Sequence, residues 1–302
     1  MSWLFLAFSA PVLWAISTHL DKYLLERFFK NSNVAVMLVF TAIIGVLSLP
    51  VIWIYRPEVF SLSYLSMAVI AVSGIFFMGA LYFYLEALQT EEASVVAPLW
   101  QTAPLFAYVL GYVFLGEQLS WIQIAGGLLI VTGTLPLSIE TAKSVKRVKF
   151  RLVALMLACT ISLAMSAVIF KIYALSDDFW VTTFWMYAGE AVFGVALLMV
   201  PANWRQFWVM LRSNPGPVLA INATNELANL GGSLAARYAM LFAPLSLVQA
   251  IGSTTLLFVF IFGILISLFF PQFGQEDLSR GSVLKKALSI ALIGPGVMLI
   301  NF

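Results

Sequence analysis

Charge is what this sequence has least of: 10% of its 302 residues are Asp, Glu, Lys or Arg, against 62% that are hydrophobic. A soluble domain carries about 25% charged residues, so no water-soluble fold of this size hides so much apolar surface. Histidine and cysteine are nearly missing too, with one of each, His19 and Cys159. A lone thiol excludes an intramolecular disulfide, and Cys159, inside an apolar run, reads as a small buried filler. Cys/His nucleophilic chemistry has nowhere to assemble, and the scattered acids lack metal-ligand spacing. Gly126-Gly127 and Gly294-Pro295-Gly296 lie in apolar runs without the Lys and Ser/Thr of a phosphate-cradling loop, which argues against ATP-driven pumping. Lys+Arg 16 against Asp+Glu 14 leaves no basic footprint for nucleic acid. The reading is of a protein that is not an enzyme, with no cofactor and no metal.

What the chain does have is long apolar runs. A hydrocarbon core of about 30 Å takes roughly 20 helical residues to cross. Cutting at charges and turn residues gives ten such segments: Trp3 to Leu20, Val34 to Ile54, Ser63 to Leu85, Val95 to Leu115, Trp121 to Ser138, Leu152 to Ala174, Trp180 to Val200, Pro217 to Tyr238, Leu245 to Phe269 and Val283 to Asn301. The first has no basic residue before it and is too long for a signal-peptide core, so it reads as a retained span. Period-two alternation is missing, which excludes a barrel, whereas helices satisfy every backbone group internally, as lipid requires. Trp3, Trp53, Tyr55, Trp121, Trp180, Trp204 and Trp208 gather near span ends like an aromatic belt. The fold class is all-α: a polytopic, multi-pass integral membrane protein, expected in the plasma (inner) membrane with the lipid bilayer as its surroundings.

The two halves resemble each other. At an offset of 149 residues, Lys22 and Gly45 meet Lys171 and Gly194; at 152, Gly79, Ala87, Ser94, Thr102 and Gly111 meet Gly231, Ala239, Ser246, Thr254 and Gly263. Beyond a longer loop around Gln275-Glu276-Asp277, Ile130 and Gly133 meet Ile293 and Gly296. The division is residues 1–140 as a first five-helix repeat, 141–151 as a basic linker, and 152–302 as a second, diverged repeat. An odd number of spans per repeat inverts the second half relative to the first.

The stretch Ala87-Leu88-Gln89-Thr90-Glu91-Glu92-Ala93-Ser94, then Pro104-Leu105-Phe106, Leu115-Gly116-Glu117-Gln118-Leu119-Ser120 and Gln123 through Gly133, resembles the signature of EamA-type members of the drug/metabolite transporter superfamily. In the second half, Tyr238 through Ser246 and Gly294-Pro295-Gly296 echo it, and Phe273-Gly274-Gln275-Glu276 replaces the Leu-Gly-Glu element. The resemblance implies two inverted repeats working by alternating access around a central cavity. Members move amino acids, nucleotide sugars, organic cations and other metabolites, so the substrate is not inherited.

Ionisable groups near a bilayer midplane cost about 2.5 to 3.5 kcal/mol each on insertion scales, and they mark function. Glu226 and Glu190 each lie about 14 Å into a span, at about 1.5 Å per residue. Asn222, Asn225, Glu226, Asn229 and Ser233 recur at three- and four-residue spacing on span eight. Such a stripe lines a pathway or seams two helices. Inter-helix bonds average only about 0.6 kcal/mol, so the pathway is the preferred reading. Glu226 is the candidate for a coupled proton or a cationic substrate group, with Glu190 in reserve. Span four offers Ser94, Gln101, Tyr108 and Tyr112, span nine offers Ser246, Gln249 and Ser253, and Trp14 is a further lining candidate. Pro98, Pro104 and Pro244 are expected to free carbonyls beside them. Lys22 and Lys171 are expected to snorkel to headgroups, and His19 to bond at the interface.

The function expected is secondary transport of a small polar or amphipathic metabolite through a site among spans one, three, four, six, eight and nine, with proton or other ion coupling. A lipid or lipid-headgroup translocator and a non-transporting receptor or sensor are the alternatives. Thirteen basic residues fall in odd-numbered loops (Lys22, Arg27, Lys30, Lys143, Lys146, Arg147, Lys149, Arg151, Arg205, Arg212, Arg280, Lys285 and Lys286), against Arg56 and Arg237 in even ones. The positive-inside rule then puts both termini outside the cytoplasm, whereas the resemblance implies cytoplasmic termini.

Overall fold

The computed structural model describes residues 3–27, 33–90, 96, 99–138, 150–213, 215–269 and 280–300. Among these there is no strand. The helices are α1 (Trp3–Arg27), α2 (Val34–Tyr55), α3 (Tyr64–Thr90), α4 (Ala103–Leu115), α5 (Trp121–Ser138), α6 (Phe150–Ser176), α7 (Phe179–Leu198), α8 (Pro201–Ser213), α9 (Pro215–Ala239), α10 (Leu245–Gly252), α11 (Thr255–Phe269) and α12 (Arg280–Leu299), with a 3-10 turn at Pro57–Phe60. Six segments are long and apolar enough to cross a membrane: Trp3–Asp21, Val34–Tyr55, Tyr64–Gln89, Phe150–Ser176, Phe179–Leu198 and Leu245–Phe269. Ala103–Leu115, Trp121–Gly133 and Ala287–Leu299 are shorter apolar helices. The protein is a multi-pass, all-helical membrane protein. Of the sequence-derived features, Ser94, Pro98, most of the basic linker and the 270–279 loop fall outside the described residues, as does the side chain of Lys22.

The principal packings join the first half of the chain to the second: α1 on α9, α3 on α6 and α7, α2 on α7, α4 on α6, and α5 on α12. Small residues set the closest approaches. A Cβ on Gly189 would sit 1.8 Å from the Ala71 carbonyl oxygen, and one on Gly74 would sit 2.0 Å from that of Met186. Backbone therefore touches backbone where α3 crosses α7. At the α5/α12 crossing the contacts are reciprocal: a Cβ on Gly133 would lie 2.9 Å from Ile293 Cγ1, and one on Gly296 the same distance from Ile130 Cγ1. These are the residues that the sequence offset pairs.

Spans four and nine are not continuous helices as the hydropathy suggests. Each breaks, at Gln101-Thr102 and at Ser253-Thr254, positions that the 152-residue offset equates. The two breaks are built alike. Thr102 Oγ1 donates to the Leu99 carbonyl at 2.7 Å, and Thr254 Oγ1 donates to the Ile251 carbonyl at 2.7 Å. Threonine bonding back to its own helix competes with the ladder and bends it. Pro104 sits in the first turn of α4 and Pro244 at the N-cap of α10. Both prolines start helices, where a missing N–H costs nothing, instead of kinking one from inside.

One end of the bundle is tied by buried charge. Gly116, at φ 66, ends α4 in the left-handed conformation that glycine tolerates best, and the chain doubles back. That reversal brings the Glu117 carboxylate to Lys171 Nζ at 2.5 Å, and its second oxygen accepts from the Leu245 amide at 2.8 Å. Lys171 also donates to the Ala243 carbonyl at 2.7 Å. Lys171 thus does not snorkel. It is buried at 6% exposure, because a carboxylate and a carbonyl from two other segments replace the water it would otherwise seek.

Candidate functional site

α9 is 25 residues long, yet its polar content leaves it less apolar than the six long spans. It is held in the bundle by glycines. Gly232 lies against the Trp14 ring and the Ala10 carbonyl of α1, and Gly231 against Leu13. This packing aims Glu226, Asn229, Ser233 and Arg237 away from α1, because positions three, four and seven apart share a helical face. They meet Thr41, Ile44 and Gly45 of α2, Phe77 of α3, and Tyr187 and Glu190 of α7 around a cavity of about 20 Å³. That is room for a single water.

Two carboxylates and one guanidinium share this space. Thr41 Oγ1 donates to Glu226 Oε1 at 2.9 Å, and Asn229 is a second hydrogen-bonding partner of the same carboxylate. Glu190 Oε1 accepts from Arg237 Nη2 at 3.4 Å. The Arg237 guanidinium lies 5.0 Å from the ring centre of Phe77, 5.6 Å from Tyr187 and 5.7 Å from Phe170. Aromatic faces attract a desolvated cation, which explains a buried arginine with one long ion pair. Its Nη1 and the Tyr187 hydroxyl have no hydrogen-bond partner. With both acids ionised the cluster carries one negative charge more than Arg237 balances. A proton or a cationic group at Glu226 removes that imbalance.

The rest of the polar stripe on α9 does not share this face. Asn225 turns to α1, accepting from Ser17 Oγ at 2.7 Å and donating to Asp21 Oδ1 at 2.6 Å. Asn222 donates to its own helix at the Val218 carbonyl, 2.8 Å away. Gln101 and Ser253 are buried at the two helix breaks, and the Gln101 Oε1 has no partner. Gln249 and Tyr108 lie on α10 and α4, which pack together; Tyr112 is exposed. Trp14 packs between Gly232 and Gly252. None of these lines the Glu226 cavity, whose walls come from spans two, three, seven and eight. His19 Nε2 bonds to the Val259 carbonyl of α11 at 2.9 Å.

Arg237, Thr41 and Asp21 are additions that sequence reasoning missed. Arg237 was counted as a loop charge, although it falls four residues after Ser233 and eleven after Glu226 on one helical face. Its removal leaves Arg56 as the basic residue of the even-numbered loops. Asp21 lies within α1 because that helix runs on to Arg27 instead of ending at Leu20.

Residues 1–139 match the EamA-like transporter family. The EamA-like segment covers α1 to α5 and carries Thr41 and the Leu115-Gly116-Glu117 turn. No curated protein matches the chain. Among 28 matching chains of solved structures is one described as "Crystal structure of protein", at a TM-score of 0.64 and 17% identity, covering 98% of this chain and 96% of that one. That likeness of fold runs along nearly the whole length of both chains.

Proposed function

We propose that this protein is a secondary transporter that moves a small polar or amphipathic metabolite across the membrane by alternating access, with ten spans arranged as two inverted five-helix repeats. The observation that carries the reading is the Glu226–Arg237–Glu190 cluster, buried where helices of the two halves meet. The matched breaks at Thr102 and Thr254 support the repeat, since discontinuous helices in corresponding positions accompany transporter sites. Glu226 is the coupling residue, alternating between a proton and a cationic group of the cargo. Arg237 pairs with Glu190 beside it. A cavity of about 20 Å³ holds no metabolite, so loading requires α2 and α9 to part.

The test is uptake into proteoliposomes of metabolites first found as binders by thermal shift, because a ligand stabilises by RT ln(1 + [L]/Kd). Saturable uptake driven by a proton gradient is the expected result. A panel of binders that are never transported would make the protein a receptor and overturn the proposal.

A further inference from the structure

α8 is a helix that the ten-span plan has no use for. It joins α7 to α9 and is pinned through its first half: Asn203 Nδ2 donates to the Leu197 carbonyl at 3.0 Å, and Gln206 Oε1 accepts from the Asn33 amide at 2.9 Å. Asn203, Phe207 and Met210, spaced four and three apart, are buried, the latter two against Leu24, Val36, Val39 and Phe40. The opposite face carries Trp204, Arg205, Trp208, Val209 and Arg212. Val209 is 59% exposed and Trp204 50%, so this face is neither polar enough for water nor apolar enough for lipid tails. An aromatic and basic face of that kind belongs at the headgroup level.

That face opens on a depression of about 740 Å³, lined by Trp204, Arg205, Trp208 and Arg212 together with the end of α7 at Leu198 and Met199. No acid lines it, and neither arginine has a carboxylate partner among the described residues. Arg212 reaches over the Trp208 ring, with its guanidinium carbon 5.9 Å from the ring centre. Trp204 and Trp208 stand edge to face at 5.6 Å. Arg205 and Arg212 are two turns apart, about 10 Å along the helix, and flank Trp208 on one side. Two guanidiniums with no carboxylate partner among the described residues, set over an apolar floor, fit a phosphodiester with acyl chains below it, because guanidinium matches phosphate oxygens in pairs. By the loop-charge reading of the sequence, α8 lies in one of the odd-numbered loops that carry thirteen of the sixteen basic residues, a bias that favours the leaflet where anionic lipids gather.

We infer that the α8 depression is a binding site for an anionic phospholipid of the surrounding bilayer, its phosphate held by Arg205 and Arg212 and its glycerol region by Trp204 and Trp208. The site is separate from the cargo pathway, and the inference stands whatever the cargo is.

The test uses the full-length protein in detergent, titrated with dioleoylphosphatidylglycerol or dioleoylphosphatidylcholine and read by native mass spectrometry as bound lipid per protein. Wild type is expected to retain the anionic lipid in preference to the zwitterionic one. The double variant Arg205→Gln/Arg212→Gln should bind phosphatidylglycerol about thirtyfold more weakly with an unchanged melting temperature. Arg205→Lys/Arg212→Lys, which keeps both charges, should retain part of the preference and covers the case in which the glutamine variant does not fold. Glu226→Gln should bind the lipid like wild type. Equal retention of the two lipids, or a folded glutamine variant that binds as wild type does, overturns the inference. Displacement by glycerol 3-phosphate at comparable concentration would show a site for free phosphate and also overturn it. Loss of lipid in Glu226→Gln with none in the arginine variant would place the lipid in the pathway, with the same consequence.

Discussion

The crossing of α3 with α7 and the crossing of α2 with α9 occupy corresponding places in the two halves, and they differ in kind. In the first, Gly74 and Gly189 let the backbones touch, and added Cβ atoms would stand 2.0 and 1.8 Å from carbonyl oxygens. In the second, the same offsets put Glu226 in place of Gly74, and Phe40 and Thr41 in place of Gly189 and Glu190. Side chains hold these helices apart: Thr41 bonds to Glu226 at 2.9 Å and a small cavity lies beside them. Under the proposed alternating-access cycle, the glycine crossing would serve as the fixed pivot and the polar seam as the part that exchanges partners. The asymmetry is written into residue types.

The pivot should be the more fragile of the two. Gly189→Leu is expected to destabilise by about 4 kcal/mol or more, the range reached when a side chain is forced against backbone. Little monodisperse protein should then survive size exclusion in detergent. Gly79→Ala on the same α3, with nothing within 4 Å of its added Cβ, should melt like wild type. If Gly189→Leu is equally stable, the α3/α7 contact is not the pivot.

Breaking the charge cluster comes next. Arg237→Met strands Glu190, which is 3% exposed, and should cost about 3 kcal/mol by thermal unfolding. Adding Glu190→Gln to it should recover most of that loss, because the uncompensated charge is gone. Failure of the second substitution to rescue would mean that Arg237 acts through its rings and not through the pair.

The smallest effect should come from the polar seam. Thr41→Val removes one donor to Glu226 and should cost about 1 kcal/mol of stability. Uptake should change more than melting does, since the bond has to break and reform in every cycle. A larger loss in stability than in uptake would make the α2/α9 seam structural glue.

Much of the frame was legible in sequence. The apolar runs anticipate where the described helices lie, and the offset pairs Thr102 with Thr254 without foretelling a break at either. The breaks themselves were hidden, because mean hydropathy through Gln101-Thr102 and Ser253-Thr254 stays high while the hydroxyls bond back to their own helices. Glu226 and Glu190 were legible as candidates because a carboxylate stands out in an apolar span, and Asn229 because it shares a helical face with Glu226. Arg237 and Lys171 escaped because position near a span end suggests snorkelling, and their burial follows from partners distant in sequence, Glu190 and Glu117. Asn225 was placed on the same stripe as Glu226, yet one residue turns a helix by about 100°, enough to face α1 instead. Spacing fixes a face only when a neighbouring helix fixes its direction.

The most direct test of the account is the pH dependence of uptake by purified Glu226→Gln in proteoliposomes. Glutamine keeps the size and polarity of the side chain and removes its titration. The variant should remain folded, lose about thirtyfold in proton-driven uptake, a loss of roughly 2 kcal/mol, and show a flat pH profile. Glu190→Gln should retain more activity and a sloping profile. Transport by Glu226→Gln at the wild-type rate with unchanged pH dependence would contradict the central claim and leave the cluster as a seam between helices.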